Sequence, residues 1–233
     1  AQALAIRAFD YFTLVQLYQF NYKGHEDAPG VPIITPENAE EAAANGCARS
    51  TVKETYEFIL GDLNKAIELL ANTKKTRSDK RYVSLDVAYG IRARVHLTMH
   101  NYADALKDAE AALASTSSVP YSSAAVSKPT FIDIEDASWM WGILITDKDR
   151  VSTTGICNFP SHMGSLNYGY ASVGGWRRIS PKLYNQIPES DVRKGWFLDD
   201  TGVSVNLPAA AQAYITKKGA PVYTQVKYGP MND

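Results

Sequence analysis

With 233 residues, 45% hydrophobic and 21% charged, the chain has an ordinary globular composition and enough length for a sizeable core in one or two domains. Lys plus Arg number 24 against 25 Asp plus Glu, a formal net charge of -1, which argues against nucleic acid as the main partner because phosphate recognition needs a clustered basic surface. No apolar run approaches the length of a membrane-spanning helix, which is about twenty residues.

Ala1 to Leu4 reads as helix interior with no cap before it, which is expected of a piece of a longer protein. Through residues 1–20, Leu4, Phe9, Phe12, Leu14, Val15 and Tyr18 predict a helix with more than one buried face. Gly24, Pro29, Gly30, Pro32 and Pro36 then break the pattern, ahead of a short Ala- and Glu-rich run at 37–44. Thr51-Val52-Lys53-Glu54 has the form of a capping box. Behind it Val52, Tyr56, Ile59, Leu60, Leu63, Ala66, Ile67 and Leu70 predict the cleanest amphipathic helix in the chain.

Lys74, Lys75, Arg77, Lys80 and Arg81 form the longest basic run, and it reads as a solvated connection between helices. Ser84 or Asp86 caps the next helix, carrying Ala88, Ile91, Val95 and Met99, and His100-Asn101 turns the chain. The following helix carries Tyr102, Ala105, Leu106, Ala109, Ala112 and Leu113. This pair resembles one tetratricopeptide unit, and residues 1–20 with 51–71 suit an earlier, long-looped pair.

From Pro120 helical periodicity fades and Ser, Gly, Pro and aromatics rise. Trp139 to Ile145 reads as a buried strand, Pro181 to Ile187 as a short helix, and Val203–Asn206, Tyr214–Thr216 and Val222–Tyr228 as strands or extended segments. Gly155 to Gly175 is a long aromatic loop, too aromatic for comfortable disorder. Cys47 and Cys157 form no metal-type cluster and leave their disulfide state open.

Several stretches resemble the SusD/RagB family of outer-membrane nutrient-binding lipoproteins. Ile6 through Tyr18 (IRAFDYFTLVQLY) is similar to its "RALRAxxYFxLVxxYG" helix, and Val31-Pro32-Ile33 to the "vPlvt" continuation. Ser50–Tyr56 with Asp62–Ala66, Ala88 through Ala112, and Ser180–Tyr184 with Asp191-Val192-Arg193 resemble later family segments in the same order. The family's lipid-attachment cysteine and its C-terminal "lRlaEvyLxyAEA" helix have no counterpart here.

The resemblance implies a mainly α fold: a tetratricopeptide-like scaffold over 1–119 and a loop-rich ligand-binding region with a few short strands over 120–233, integrated as one SusD-like domain. It implies a non-enzymatic protein, outward-facing at the outer membrane, lipid-anchored and seated on a SusC-like TonB-dependent transporter; no residue pattern calls for a cofactor or a metal, and metal use stays open. Its ligand would be an oligosaccharide; RagB-like members take peptides instead. Sugar capture needs flat aromatic faces with fixed hydrogen-bonding groups. In starch-binding relatives a Trp just before the "s…L" helix stacks on sugar, and Trp176 in Gly174-Gly175-Trp176-Arg177-Arg178 holds that place. The alternative for Trp176 is a loop anchor buried against helices. Tyr168 and Tyr170 alternate and would share a side of an extended backbone; Asn167, Arg177 and Phe159 follow by neighbourhood.

Two rival classes remain. Glu189 and Asp191 are spaced for an acid/base pair of a glycoside hydrolase, against a plainer reading as turn residues with Asp191 pairing Arg193. His96 and His100 have zinc-type spacing, but no H-E-x-x-H Glu and no third ligand accompany them. The second rival is a helical scaffold that binds a peptide.

Overall fold

The computed structural model describes residues 1–73, 75–129, 134–144, 146, 148–149, 164–166 and 175–228. The chain divides into two compact units, Ala1–Ser117 and Ser118–Asp233. It is mainly helical, and no regular strand occurs among the described residues.

The first unit holds α1 (Gln2–Tyr18), α2 (Ala39–Asn45), α3 (Val52–Ala71), α4 (Leu85–Thr98) and α5 (Tyr102–Ser115). Helix α1 packs on α3, α3 on α4, and α4 on α5, the serial pairing expected of tetratricopeptide-like hairpins. The core follows helical spacing: Ala5, Ala8, Phe12 and Val15 on α1 meet Val52, Tyr56, Ile59, Leu63 and Ala66 on α3. Small alanines on α1 let the larger α3 side chains fill the interface. On α1 the expectation of several buried faces needs correction, because Leu14 and Tyr18 are 39% and 69% exposed. On α5, likewise, Ala105 and Ala112 are buried while Tyr102, Leu106 and Leu113 face outward.

The capping box forms as spaced. Thr51 Oγ1 accepts from the Glu54 amide at 3.1 Å, and the Thr51 amide donates to Glu54 Oε2 at 2.8 Å. The Pro-rich loop docks beside this cap: Gly30 N donates to Ser50 O at 2.6 Å and Ser50 N to Val31 O at 3.2 Å. Gly30 is demanded by that approach, since a Cβ there would stand 2.5 Å from Thr55 Oγ1 and 2.7 Å from the Thr51 carbonyl. The turn between α4 and α5 places His100 at φ 64°, and the next amide, Asn101 N, donates back to His96 O at 2.9 Å.

Two acidic residues inside this unit depart from the pattern of solvated helix charges. Arg7 on α1 forks onto Asp62 on α3 at 2.7 and 2.8 Å. Arg92 on α4 does the same to Asp108 on α5 and reaches Asn64 on α3 with its remaining nitrogen, at 2.6 Å. Both carboxylates are nearly out of water, at 9% and 3% side-chain exposure, so the paired guanidinium is what makes their burial tolerable.

The second unit holds α6 (Ser123–Val126), α7 (Pro181–Gln186), a 3-10 turn (Val192–Trp196) and α8 (Ala209–Lys217). Its core gathers Leu166, Leu198, Ala211, Ile215 and Val226. The segment around 222–226 lies between 177–179 and 196–198, joined by Ile179 N to Tyr223 O, Leu198 N to Thr224 O and Val226 N to Trp196 O. These contacts are single bridges, Arg178 with Thr224 and Phe197 with Gln225, so of the strand or extended segment expected at 222–228 the structure shows paired extended chain.

Three further expectations are corrected here. Tyr214–Thr216 belongs to α8, where the run Ala209-Ala210-Ala211 favours helix and Ala211 and Ile215 bury one turn apart. Val203–Asn206 is a turn, organised by Asp199 Oδ1 accepting from the Thr201 and Val203 amides at 2.8 and 2.9 Å. The described part of the Trp139–Ile145 segment forms no strand; turns pin it instead, with Trp139 N donating to Asp136 O and Ser118 Oγ to Trp139 O.

Candidate functional site

The site residue that the structure describes most fully is Trp176. Its segment is fixed on the C-terminal side: Gln225 N donates to Arg177 O at 2.7 Å, and Arg178 Nε donates to Val222 O at 2.9 Å. Trp176 is half-buried and packs against the core of the second unit, the cluster of Leu166, Leu198, Ala211, Ile215 and Val226. One part of the ring thus anchors the loop, while the remainder stays accessible. Arg177 is exposed and its Nη1 donates to the Gly175 carbonyl at 3.3 Å. Tyr168, Tyr170, Asn167 and Phe159 lie outside the described residues.

Following Trp176, Ser180 accepts from the Leu183 amide and Pro181 takes the first helical position, so α7 starts where its sequence dictates. A cleft of about 310 Å³ lies beyond it, between Tyr184, Lys194, Phe197, Asp199 and Asn206. Lys194 stands 5.0 Å from the centre of the Tyr184 ring and also pairs with Glu189. The Tyr223 ring lies 5.2 Å from the same ring, tilted by 59°. The sequence reading did not anticipate this cleft; the nearest signal was the D-x-R motif that shapes its wall.

Asp191 and Glu189 are each engaged by a neighbouring cation, the plainer of the two arrangements expected for them. Asp191 is held down to about 2 by the Arg193 guanidinium, which forks onto it at 2.9 and 2.6 Å, and by the Arg193 amide. Glu189 pairs with Lys194. His96 and His100 diverge: His96 Nε2 lies 3.9 Å from Asp108, while His100 stacks on Tyr102 at 5.7 Å. Among the described residues no three His, Cys, Asp or Glu side chains gather as a metal site.

A second, more apolar groove of about 490 Å³ lies in the first unit, where Tyr11, Leu14 and Tyr18 of α1 face Val31, Pro32 and Ile34. The Tyr11 hydroxyl accepts from the Ile34 amide at 2.8 Å and so sets the groove's width.

Residues 1–97 match the SusD-like family model described as starch-binding and associating with the outer membrane. Among curated proteins, SusD-like protein P2 of Formosa agariphila is 24% identical over 241 residues, covering 100% of this chain and 42% of the relative. A SusD-like carbohydrate binding protein from Bacteroides vulgatus superposes with a TM-score of 0.68 at 26% identity, over 84% of this chain and 39% of its own. A SusD superfamily protein from Bacteroides thetaiotaomicron shares the fold, with a TM-score of 0.64 at 21% identity, over 99% of this chain and 48% of its own. The chain is similar to SusD-like proteins, most directly over residues 1–97, and it spans less than half the length of these relatives.

Proposed function

We propose that the protein binds oligosaccharides at the cell surface without chemically altering them, and hands them to a TonB-dependent outer-membrane transporter. The match of residues 1–97 to a family described as starch-binding carries this reading. The ties of Asp191 to Arg193 and of Glu189 to Lys194 support capture over hydrolysis, because each carboxylate is already engaged by a cation. The accessible part of the Trp176 indole is the proposed stacking surface, with Tyr168, Tyr170, Asn167, Arg177 and Phe159 around it. In this reading the protein is lipid-anchored and outward-facing; no helix of the described residues is long and apolar enough to cross a membrane.

The test is calorimetric titration of neutral oligosaccharides into the protein, into Trp176→Ala, and into Trp176→Leu. The leucine variant keeps apolar packing on the core of the second unit but removes the flat ring. Saturable binding that both variants lose, with helical circular dichroism intact, supports the site. Binding that survives in both variants moves the site elsewhere, and no binding by the parent overturns glycan capture.

A peptide-binding role is the second reading, favoured by the apolar groove of Tyr11, Leu14 and Tyr18. It predicts a peptide ligand lost in Leu14→Asp and retained in Trp176→Leu.

A further inference from the structure

The apolar groove of the first unit carries a single charge. Its walls come from the second half of α1, from the loop at 29–34 and from Arg49 ahead of α3, all well inside the chain. Leu14 and Tyr18 on the helix side are 39% and 69% exposed and Ile34 on the loop side is 44% exposed, so both sides present hydrocarbon to water. The volume of about 490 Å³ falls within the range of roughly 300–1,000 Å³ usual for small-ligand sites. Such sites pair mostly apolar walls with a few placed polar groups.

The groove is preformed. At one end the Tyr11 hydroxyl accepts from the Ile34 amide at 2.8 Å and donates to the Ile34 carbonyl at 3.3 Å. The Tyr11 ring is itself held edge-on by Phe58 of α3, with centres 5.1 Å apart. At the other end Gln19, just past α1, donates to the Pro29 carbonyl. Loop and helix are thus tied on both sides of the opening, and a ligand need not order them.

Arg49 is placed in the same way. Its Nε donates to the Gly30 carbonyl at 2.7 Å and its Nη2 to the Pro29 carbonyl at 2.9 Å. A guanidinium has five N–H donors, and among the described residues both of those on Nη1 stay open. Among the described residues no acidic side chain lines the groove. A ligand there meets one cation, fixed before the ligand arrives.

The loop also discriminates between occupants. The carbonyls of Pro29, Gly30, Val31, Ile33 and Ile34 already accept hydrogen bonds from within the chain. An extended peptide laid along this loop would find few partners for its main chain. A hydrocarbon body needs none, and a carboxylate head gains a charge-assisted bond from a guanidinium already in position.

We propose that this groove is a binding site for an apolar monocarboxylate, with an alkyl or aryl body along Leu14, Tyr18 and Ile34 and its carboxylate on Arg49. This occupant competes with the peptide of the second reading for the same groove, and it is independent of glycan binding at Trp176.

The test is calorimetric titration of octanoate, octanol and acetyl-trileucine amide into the whole chain, into Arg49→Gln, and into Leu14→Asn/Ile34→Asn. The double variant makes both walls polar at exposed positions. The expected result is saturable octanoate binding by the parent, about tenfold or more tighter than octanol. Arg49→Gln should weaken octanoate by about tenfold and leave octanol unchanged, whereas the double variant weakens both. Octanol thereby separates loss of the head group's partner from a loosened loop, since a collapsed groove would lose both probes. Circular dichroism confirms that the variants keep the parent's helix content. Absence of octanoate binding by the parent, octanol binding as tight as octanoate, equal loss of both probes in Arg49→Gln, or octanoate binding that survives in the double variant overturns the proposal. Tighter binding of the peptide amide than of octanoate assigns the groove to peptides. Self-association of the parent that the double variant abolishes assigns it to a second copy of the chain. Either result also overturns the proposal.

Discussion

Arg92 and Asp108 face each other across α4 and α5 through two N–H···O bonds of 2.7 and 2.6 Å, with the carboxylate almost wholly out of water. The same guanidinium reaches Asn64, so one cation joins three helices. Arg92→Ala leaves a buried charge without its partner and is expected to destabilise the first unit by about 3–5 kcal/mol. The apolar double variant Arg92→Met/Asp108→Leu is expected to cost less than the single change. Urea unfolding followed by circular dichroism measures both, and a double variant worse than the single one would refute the pairing argument.

The capping box of α3 gives a smaller, local prediction. Thr51→Ala removes the acceptor for the Glu54 amide while leaving the buried face of the helix untouched. The expected loss is about 1 kcal/mol, and Thr51→Ser should restore most of it. Thermal unfolding of the three proteins under one buffer decides the matter.

Gly30→Ala tests the loop that walls the apolar groove. The added methyl would press on Thr55 Oγ1 and on the Thr51 carbonyl, and the carbonyl belongs to a helix cap that cannot easily retreat. A loss of about 1–3 kcal/mol is expected from this overpacking. Hydrogen exchange at the Gly30 and Ser50 amides should accelerate with it, because both bonds join the loop to the start of α3.

Tyr56 carries the pH dependence. Burial, with a smaller contribution from Tyr22, pushes its phenol up to about 12 from an ordinary 10.0. A raised value means that the folded state holds the proton more tightly than the unfolded one. The stabilisation is therefore complete below pH 10 and is lost as pH rises through 12. A two-unit difference corresponds to roughly 2–3 kcal/mol at the alkaline limit. Urea midpoints measured from neutral to strongly alkaline pH should fall in the parent and fall less in Tyr56→Phe; parallel curves would refute the assignment.

The first unit was legible because its signals are local. The capping box, the three- and four-residue spacing of α3 and the turn at His100 each depend on residues within a few positions of one another. Asp62 and Asp108 were not legible, since a carboxylate on a helix reads as solvated until the partner arginine from another helix is placed beside it. In the second unit, the strand expected at Trp139 came from an apolar run whose pairing partner the sequence could not specify. Tyr214–Thr216 was misread because three residues with strand propensity were weighed without the alanines before them. Trp176 could be located by its neighbours, but its half-burial depends on a core that includes Leu198, Ala211, Ile215 and Val226, all more than twenty residues away.

The Gln2 side-chain amide brackets Val83, donating to its carbonyl at 2.6 Å and accepting from its amide at 2.8 Å, across 81 positions in sequence. Together with the Arg92–Asn64 bond it ties α1 and α3 to the hairpin of α4 and α5 by links that bypass the covalent connection between them. A protease cutting that connection after Arg77, Lys80 or Arg81 would therefore nick the chain without releasing either piece. The two fragments would separate on a denaturing gel and still migrate as one species through a sizing column.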